Sequence, residues 1–185
     1  MSSRDSFMST APQYSPKYTV TDYQVWKGDW ELWNGVAVAM TPSPFGRHGT
    51  VLGRITTALS NAIDKVNCDA NVIVEVDWIV SANTVLRPDL TIVCGEPPAA
   101  HIEDTPALVV EVLSASTRER DLTFKRQLYA EQSVPWYLIV DPEDGVLHAL
   151  QLDHGEYHNV AHTETLALRI CSECSLHVEI DRLFR

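Results

Sequence analysis

Residues 107–113 form an almost uninterrupted apolar run that contains a single acid, Glu111. A run of this length and composition predicts a central β-strand that other elements cover on both faces. Carboxylates are rarely buried unless they are paired or bound to a metal, because removing them from water is costly. The run therefore predicts a sheet with covered faces and a buried acid that has a charged partner.

A second acid, Asp89, has similar surroundings. It follows Arg87-Pro88 within a predicted strand from Thr84 to Cys94, and apolar residues flank it on both sides. Two acids on neighbouring strands make an oxygen-rich site for a hard divalent cation. A nearby lysine can serve a phosphate or a water, so the pattern indicates metal-dependent phosphodiester chemistry.

The candidate lysine, Lys125, lies on a helix predicted from Asp121 to Gln132. Asp121, Lys125 and Tyr129 are spaced four residues apart, which places them on one helical face. Taken alone, this spacing is typical of a solvated face with a weak ion pair. The buried acid on the preceding strand makes a functional site the better interpretation.

The remaining patterns predict an α/β fold in which helices flank a mixed sheet. A hairpin is predicted at Trp30–Met40, with Asn34-Gly35 as its turn. Residues 72–80 alternate in part and predict one strand. Apolar residues recur at helical spacing from Arg47 to Lys65.

Residues 1–18 contain Ser, Pro, Tyr and Gln without periodicity and predict a flexible tail, and the length of the chain predicts one domain at residues 19–185. No apolar run has the length of a membrane span, and the first residues lack the hydrophobic region of a signal peptide. These features favour a cytoplasmic protein.

Four cysteines are present, at positions 68, 94, 171 and 174. Cys171-x-x-Cys174 with the nearby His177 would make a metal site that is one ligand short. A single pair at this spacing is weak evidence. The favoured interpretation is therefore free thiols in a loop before the final segment.

The formal net charge is −11, whereas DNA-binding domains are usually basic. The charge argues against tight nonspecific DNA binding. It leaves open DNA binding through a local basic patch or through a metal ion that bridges to phosphate. The cations that could offset the negative charge near the candidate acids are Arg87, Arg118, Arg120, Lys125 and Arg126.

The order of these motifs is similar to that of a known family. The pieces that match are Trp30 to Gly35, Met40-x-Pro42, His48, Pro88-Asp89, Glu111 to Thr117, Asp121, Lys125, Tyr129, Val134-Pro135-x-Tyr137 and Val140-Asp141-Pro142. Together they resemble the Uma family of the PD-(D/E)XK nuclease superfamily. The resemblance covers about residues 20–183. It implies a restriction-endonuclease-like fold and a DNA endonuclease dependent on Mg²⁺ or Mn²⁺.

The resemblance also implies roles for single residues. Asp89 and Glu111 match the two metal-binding acids. The lysine that usually lies two residues after the second acid is missing, since position 113 is Leu. Lys125 looks like the migrated lysine of this family. Glu31 resembles the family's N-terminal acid, which would bind a second cation or tune the first.

Three further residues are possible supports for the site. His48 either contacts phosphate or acts as a base, or it caps and packs its helix, and both interpretations stay open. Tyr129 is interpreted as a donor that supports the acids, and Asp121 lies on its helical face. Asp141 is adequately explained by the turn that it begins.

One departure from the family pattern is Val36, where an acid commonly follows the glycine of the first hairpin. It puts a second metal site in doubt. Together with the net charge, Val36 favours the alternative of a non-catalytic binding or regulatory module that keeps the nuclease fold. Hydrolysis of another phosphate ester is a third possibility.

The resemblance further implies a homodimer, for which the hairpin tryptophans Trp26, Trp30 and Trp33 would supply an exposed interface.

Overall fold

The computed structural model describes residues 17–40 and 46–185. Residues 1–16 of the flexible tail predicted at residues 1–18 lie outside the described residues, and so does Pro42. At the first described residues, the main-chain N–H of Tyr18 donates to the carbonyl of Gly35 at 2.8 Å. The described chain therefore begins with a segment attached to the first hairpin.

The elements follow one another in mixed α and β order. The helices are α1 (Val20–Tyr23), α2 (Gly46–Lys65), α3 (Arg118–Arg120) and α4 (Arg126–Glu131), with a π-helical turn (Asp121–Lys125) between the last two. The strands are β1 (Trp30–Trp33), β2 (Val36–Ala39), β3 (Ala70–Val74), β4 (Trp78–Ser81), β5 (Thr84–Leu86), β6 (Leu90–Cys94), β7 (Leu108–Val112), β8 (Trp136–Asp141), β9 (Val146–Asp153), β10 (Glu156–Asn159), β11 (Thr165–Ile170) and β12 (Cys174–Glu179).

The central sheet has six strands in the order β10-β9-β8-β7-β6-β3. Within this sheet, as far as the structure describes the chain, β7 and β8 are the one parallel pair, and the helical segment of residues 118–131 connects them. A smaller antiparallel sheet has the order β2-β1-β5-β4, and β11 and β12 form a separate hairpin. The predicted α/β fold with a mixed sheet and flanking helices is confirmed.

Hydrophobic cores cover both faces of the central sheet. On one face, β7 contributes Leu108, Val110 and Val112 to a core shared with α2 and the β11–β12 hairpin. On the other face, Val109 packs with α4 and the small sheet. Successive strand residues point to opposite faces, so β7 is covered on both sides, as its apolar sequence predicts.

Two predicted strands are each divided in the structure. Residues 72–80 were expected to form one strand, but β3 ends at Val74 and β4 begins at Trp78 in the other sheet. Glu75 between them has a φ of 52°, a left-handed conformation that ends the extended chain. The strand predicted from Thr84 to Cys94 is likewise divided around Pro88, which has no N–H for a sheet hydrogen bond.

The prediction of free cysteines is wrong. Cys68 is bonded to Cys174 and Cys94 to Cys171, and no cysteine of the described residues is free. The pairs join positions 106 and 77 residues apart in sequence, a proximity that no local pattern reveals.

The predicted tryptophan surface is only partly exposed. Trp26, Trp30 and Trp33 are all half-buried. Trp33 stacks on Phe124 with ring centroids 4.3 Å apart, and Trp26 packs edge-on against Trp30. Contacts within the chain therefore cover part of the surface of these side chains.

No helix in the described residues is both long enough and apolar enough to cross a membrane.

Candidate active site

Glu111 reaches the candidate site because of strand alternation. Its neighbours Val110 and Val112 point toward α2, so Glu111 points to the opposite face, toward the helical segment 118–131. The side chain is 3% exposed, and its Oε1 accepts hydrogen bonds from Lys125 and Tyr129. Burial raises the pKa of Glu111 well above its usual value, and nearby carboxylates add to this effect although Lys125 opposes it.

Asp89 lies beside Glu111 because of the strand register. Leu90 pairs with Val110 in antiparallel β6 and β7, which places the preceding Asp89 next to Glu111. Its Oδ2 accepts the main-chain N–H of Val112 at 2.7 Å and lies 3.3 Å from His48 Nε2. The predicted placement of the two acids on neighbouring strands is therefore confirmed as geometry.

Lys125 lies inside the site rather than on a solvated face. Its Nζ donates to Glu111 Oε1 at 2.9 Å and lies 3.2 Å from Glu31 Oε1 and 3.8 Å from Asp121 Oδ1. Burial lowers the pKa of Lys125, but the three carboxylates more than offset this, so the pKa is raised and the ammonium keeps its proton. Lys125 forms no ion pair with Asp89 in the described structure, although both line the same pocket.

The π-helical turn brings Lys125 to this position. It covers Asp121–Lys125 and interrupts the α-helical progression between α3 and α4. Tyr137 donates its O–H to the main-chain carbonyl of Asp121 at 2.9 Å, which supplies a partner within the turn. π-Helical turns occur frequently at functional sites, where they change the direction of a side chain.

Asp121 and Tyr129 both lie beside Lys125 and Glu111, although Asp121–Lys125 is π-helical and not α-helical as the spacing argument assumed. Tyr129 is fully buried and donates its O–H to Glu111 Oε1 at 2.6 Å. Asp121 is 2% exposed, and burial raises its pKa while Lys125 partly opposes the shift. Tyr129 is thus a donor that fixes Glu111, and Asp121 is a third carboxylate around Lys125.

Glu31 enters the site from β1 in the smaller sheet. Its Oε1 accepts the main-chain N–H of Arg87 at 2.8 Å and contacts Lys125, and its Oε2 accepts the indole N–H of Trp33 at 3.1 Å. Both carboxylate oxygens therefore have donors. This arrangement links the Arg87-Pro88-Asp89 segment to Lys125.

His48 lies in the first turns of α2 and is 8% exposed. Burial lowers its pKa, but hydrogen bonding to Asp89 and the charge of Asp89 more than offset it, so the pKa is raised above the usual value. Its Nδ1 is buried and has no hydrogen-bond partner among the described residues. His48 is therefore held against Asp89 through Nε2.

The carboxylates of the pocket are the groups that could hold a divalent cation. Three carboxylates, those of Glu31, Glu111 and Asp121, surround Lys125, and Asp89 lines the same pocket, so carboxylates outnumber Lys125 at the site. No group of three or more His, Cys, Asp or Glu side chains in residues 17–40 and 46–185 is arranged as a metal cage. Mg²⁺ needs only one or two protein carboxylates and keeps several waters, so Asp89 and Glu111 fit it.

The nearby cations are less available than the sequence suggests. Arg87 binds Asp77 at 2.7 Å, Arg118 binds Asp141 at 2.6 Å, and Arg126 donates to the carbonyl of Tyr157. Arg120 lines the pocket and forms no ion pair with the described residues. Its guanidinium lies over the ring of Trp33, 5.7 Å from the centroid.

The pocket also includes groups to which the sequence patterns gave no role. Ser114, Ser116 and Thr117 line its rim, and Glu75 lies on the side of β3. The three hydroxyls follow directly after β7, so their nearness to Glu111 in sequence was the available signal. Glu75 comes close only through the turn between β3 and β4.

The fold and the site define a restriction-endonuclease-like protein. The chain is similar to a crystal structure from Anabaena variabilis ATCC 29413 described as "a putative nuclease belonging to DUF820". The two share 17% sequence identity with a TM-score of 0.72, over 90% of this chain and 97% of the other. At this identity the match shows the fold. No curated protein matches the chain in sequence.

Residues 20–179 match the Uma2 family model, described as "Putative restriction endonuclease". The match spans most of the 185 residues, and the chain belongs to this family. The resemblance seen in the sequence is thereby confirmed.

Proposed function

We propose that the protein is a Mg²⁺-dependent (or Mn²⁺-dependent) endonuclease that hydrolyses phosphodiester bonds in DNA. One observation carries the proposal: Lys125 contacts Glu111 from the following helix although position 113, two residues after Glu111, is Leu. Lys125 would thus take the place of the lysine that usually lies two residues after the second acid, and the site would keep two acids and a lysine. Membership of the Uma2 family supports the same class of substrate.

Asp89 and Glu111 would hold the cation through their carboxylate oxygens. A bound cation of this kind polarises a phosphoryl oxygen and lowers the pKa of a bound water. Lys125 would orient or activate the attacking water and stabilise charge on the phosphate. Glu31 and Tyr129 hold Lys125 and Glu111 in place.

Two other groups would meet the phosphate. His48 lies beside Asp89 in the first turns of α2, so its imidazole would contact a phosphate bound at the proposed site. Arg120 lines the pocket without an ion pair among the described residues, which leaves its guanidinium available for a phosphate oxygen. Both would lower the cost of bringing an anion to this acidic site.

The alternative is a non-catalytic module that binds nucleic acid or regulates a partner. The net charge of −11 and Val36 favour it. The geometry opposes it, because a site without chemistry gains nothing from several buried carboxylates around one lysine. Hydrolysis of another phosphate ester would use the same groups.

The test is cleavage of supercoiled and single-stranded DNA with Mg²⁺ or Mn²⁺. We compare the wild type with Asp89→Asn and Lys125→Met, and we use Asp64→Asn and Lys65→Met as controls because both are exposed on α2. Cleavage by the wild type and the controls, with a loss of at least about 100-fold in the site variants, is the expected result. Parallel screens of RNA and nucleotides separate the DNA substrate from other phosphate esters.

Absence of cleavage in every protein, with no Mg²⁺ or Mn²⁺ binding by calorimetry, would overturn the proposal in favour of the non-catalytic module. Metal binding by the wild type that Asp89→Asn abolishes, together with hydrolysis of RNA or a nucleotide alone, would replace DNA as the substrate.

The proposal includes a cytoplasmic location, where such a substrate is found, and a homodimer. Support for the dimer is limited to the half-buried aromatic surface at Trp26 and Trp30. Sedimentation equilibrium tests it: Trp26→Ala is expected to shift a dimer toward monomer, and a wild-type monomer at all concentrations would exclude it.

A further inference from the structure

The arginine and lysine side chains that line the candidate pocket differ in how their charges are balanced. In the part of the chain that the structure describes they are Arg87, Arg120 and Lys125. Arg87 binds Asp77 at 2.7 Å, and Lys125 lies within 3.8 Å of oxygens from three carboxylates. Arg120 forms no ion pair with any described residue, so no acid of these ranges neutralises its charge.

Trp33 supports the guanidinium of Arg120. The guanidinium carbon lies 5.7 Å from the centroid of the indole ring, a distance at which a cation and an aromatic face attract each other. Phe124, four residues after Arg120, stacks on the same indole with ring centroids 4.3 Å apart. The indole N–H donates to Glu31 Oε2 at 3.1 Å. Stacking and this hydrogen bond therefore fix the ring on which Arg120 lies.

An arginine in this position is suited to phosphate. The N–H donors of a guanidinium lie in its plane and match two oxygens of a phosphate. A guanidinium whose face lies over an aromatic ring keeps these edge donors free. Arg120 is half-buried at the pocket, so its orientation is restricted while part of the side chain remains accessible. Binding would therefore cost little additional ordering of this side chain.

The rim beside Arg120 is polar and carries no acid that lines the pocket between residues 114 and 120. Ser114 Oγ lies 3.1 Å from Ser116 Oγ and 3.0 Å from Thr117 Oγ1, and all three hydroxyls line the pocket. Hydroxyl groups commonly donate to phosphate oxygens of DNA. Much of the remaining lining is acidic, so a strand of phosphates would be repelled there and accepted along residues 114–120.

We propose that Arg120 binds the phosphate next to the scissile one in the DNA strand, and that Trp33 is the residue that positions Arg120 for this contact. The assignment rests on the proposed function, because the scissile phosphate is the one that meets the cation on Asp89 and Glu111. Arg120 has no ion pair with either acid. The contact therefore acts on substrate binding and leaves the hydrolytic step to the other groups.

The experiment measures cleavage by the full chain of oligonucleotides with a mapped cleavage site. In matched substrates, an uncharged methylphosphonate replaces one phosphate on either side of that site. Arg120→Gln should raise KM about 10-fold and leave kcat within about twofold of the wild type. Arg169→Gln is the control, since it makes the same charge change at an exposed position outside the pocket. On one side of the site, the uncharged linkage should raise KM for the wild type and the control but should have no further effect on Arg120→Gln.

Substitutions of Trp33 test the positioning role. Trp33→Phe keeps an aromatic ring beneath the guanidinium and should retain the sensitivity to the uncharged linkage. Trp33→Leu removes the ring and should raise KM as Arg120→Gln does, and the double variant should be no weaker than either single variant. Melting curves show whether each protein is folded. If Trp33→Leu does not fold, the Trp33→Phe and Arg120→Gln measurements decide.

Binding without turnover separates this contact from the proposed function. Fluorescence anisotropy with the same oligonucleotides in Ca²⁺ should show that Arg120→Gln lowers the salt dependence of binding by about one phosphate contact. If the wild type cleaves DNA but Arg120→Gln has the same KM and salt dependence, or the same sensitivity to the uncharged linkage, the phosphate contact is wrong and the nuclease stands. If binding depends on Arg120 but no protein cleaves, the contact stands and the nuclease is wrong. No binding of DNA by the wild type would overturn both.

Discussion

Lys125→Met tests whether the site is held together by one buried cation. The ammonium lies 2.9 Å, 3.2 Å and 3.8 Å from the nearest oxygens of Glu111, Glu31 and Asp121, and all four side chains are at most 7% exposed. Methionine has a similar volume but no charge, so the variant leaves buried carboxylates without their partner.

The magnitude follows from these distances. A unit pair about 3 Å apart attracts by roughly 5–6 kcal/mol at an effective dielectric constant of about 20, before desolvation is subtracted. Removing one partner of a buried pair costs about 3–5 kcal/mol of unfolding free energy. For a chain of this length we expect a melting temperature lower by roughly 6–20 °C.

A second substitution separates charge from packing. Adding Glu111→Gln to Lys125→Met removes one uncompensated carboxylate, so the double variant should be more stable than the single variant. The expected coupling is about 1–3 kcal/mol, and DNA cleavage should stay absent because both groups belong to the proposed site. Urea unfolding followed by circular dichroism measures the four proteins of the cycle, with EDTA present so that bound metal does not contribute.

Lys65→Met serves as the control, since Lys65 is exposed at the end of α2, and its effect should be within about 0.5 kcal/mol. The reasoning is refuted if Lys125→Met unfolds within that same margin of the wild type. It is also refuted if Glu111→Gln gives no recovery, because the destabilisation would then come from packing alone.

Three further substitutions test other parts of the structure. Tyr129→Phe deletes the hydrogen bond to Glu111 and should cost about 1–3 kcal/mol in urea unfolding with little change in secondary structure. Burial raises the pKa of Asp141, but hydrogen bonds from two main-chain N–H groups and from Arg118 outweigh burial and lower it. The Asp141 carboxylate therefore stabilises the folded protein at pH values above the unfolded pKa. This contribution is lost as the pH falls through the folded pKa. Asp141→Asn should therefore be less stable than the wild type at pH 7 but approach it in acid, as a pH series of melting curves would show. Gly35→Ala should destabilise the first hairpin by about 1 kcal/mol or more, since φ is +85° and an added Cβ would lie 3.2 Å from a neighbouring side chain, and equal melting temperatures would count against it.

The acids of the site could be predicted because local sequence determines their positions. Glu111 lies within a strand whose neighbours are all apolar, so its burial follows from the pattern, and strand pairing then places Asp89 beside it. Lys125 and Tyr129 were assigned to one helical face by spacing alone. In each case the responsible interaction lies within one element or between adjacent ones.

The parts that were missed depend on contacts between distant segments. The turn at Glu75 transfers the chain from one sheet to the other, and nothing in its local alternation distinguishes it from a continuous strand. The π-helical turn accepts a hydrogen bond at the carbonyl of Asp121 from Tyr137 on β8, a residue outside its own helical segment. The cysteine pairs join segments 106 and 77 residues apart. Sequence periodicity carries no information on such partners.

The acidic charge of the chain bears directly on the proposed mechanism. Near the pocket, Arg87 and Arg118 are paired with acids, and the carboxylates around Lys125 outnumber it. A phosphodiester would be repelled from this arrangement without added positive charge, because affinity for DNA depends largely on cations placed against phosphates. The divalent cation proposed to bind Asp89 and Glu111 would supply that charge close to the scissile phosphate. Such a metal would contribute to DNA binding as well as to hydrolysis, whereas a non-catalytic DNA-binding module would need a basic surface of its own.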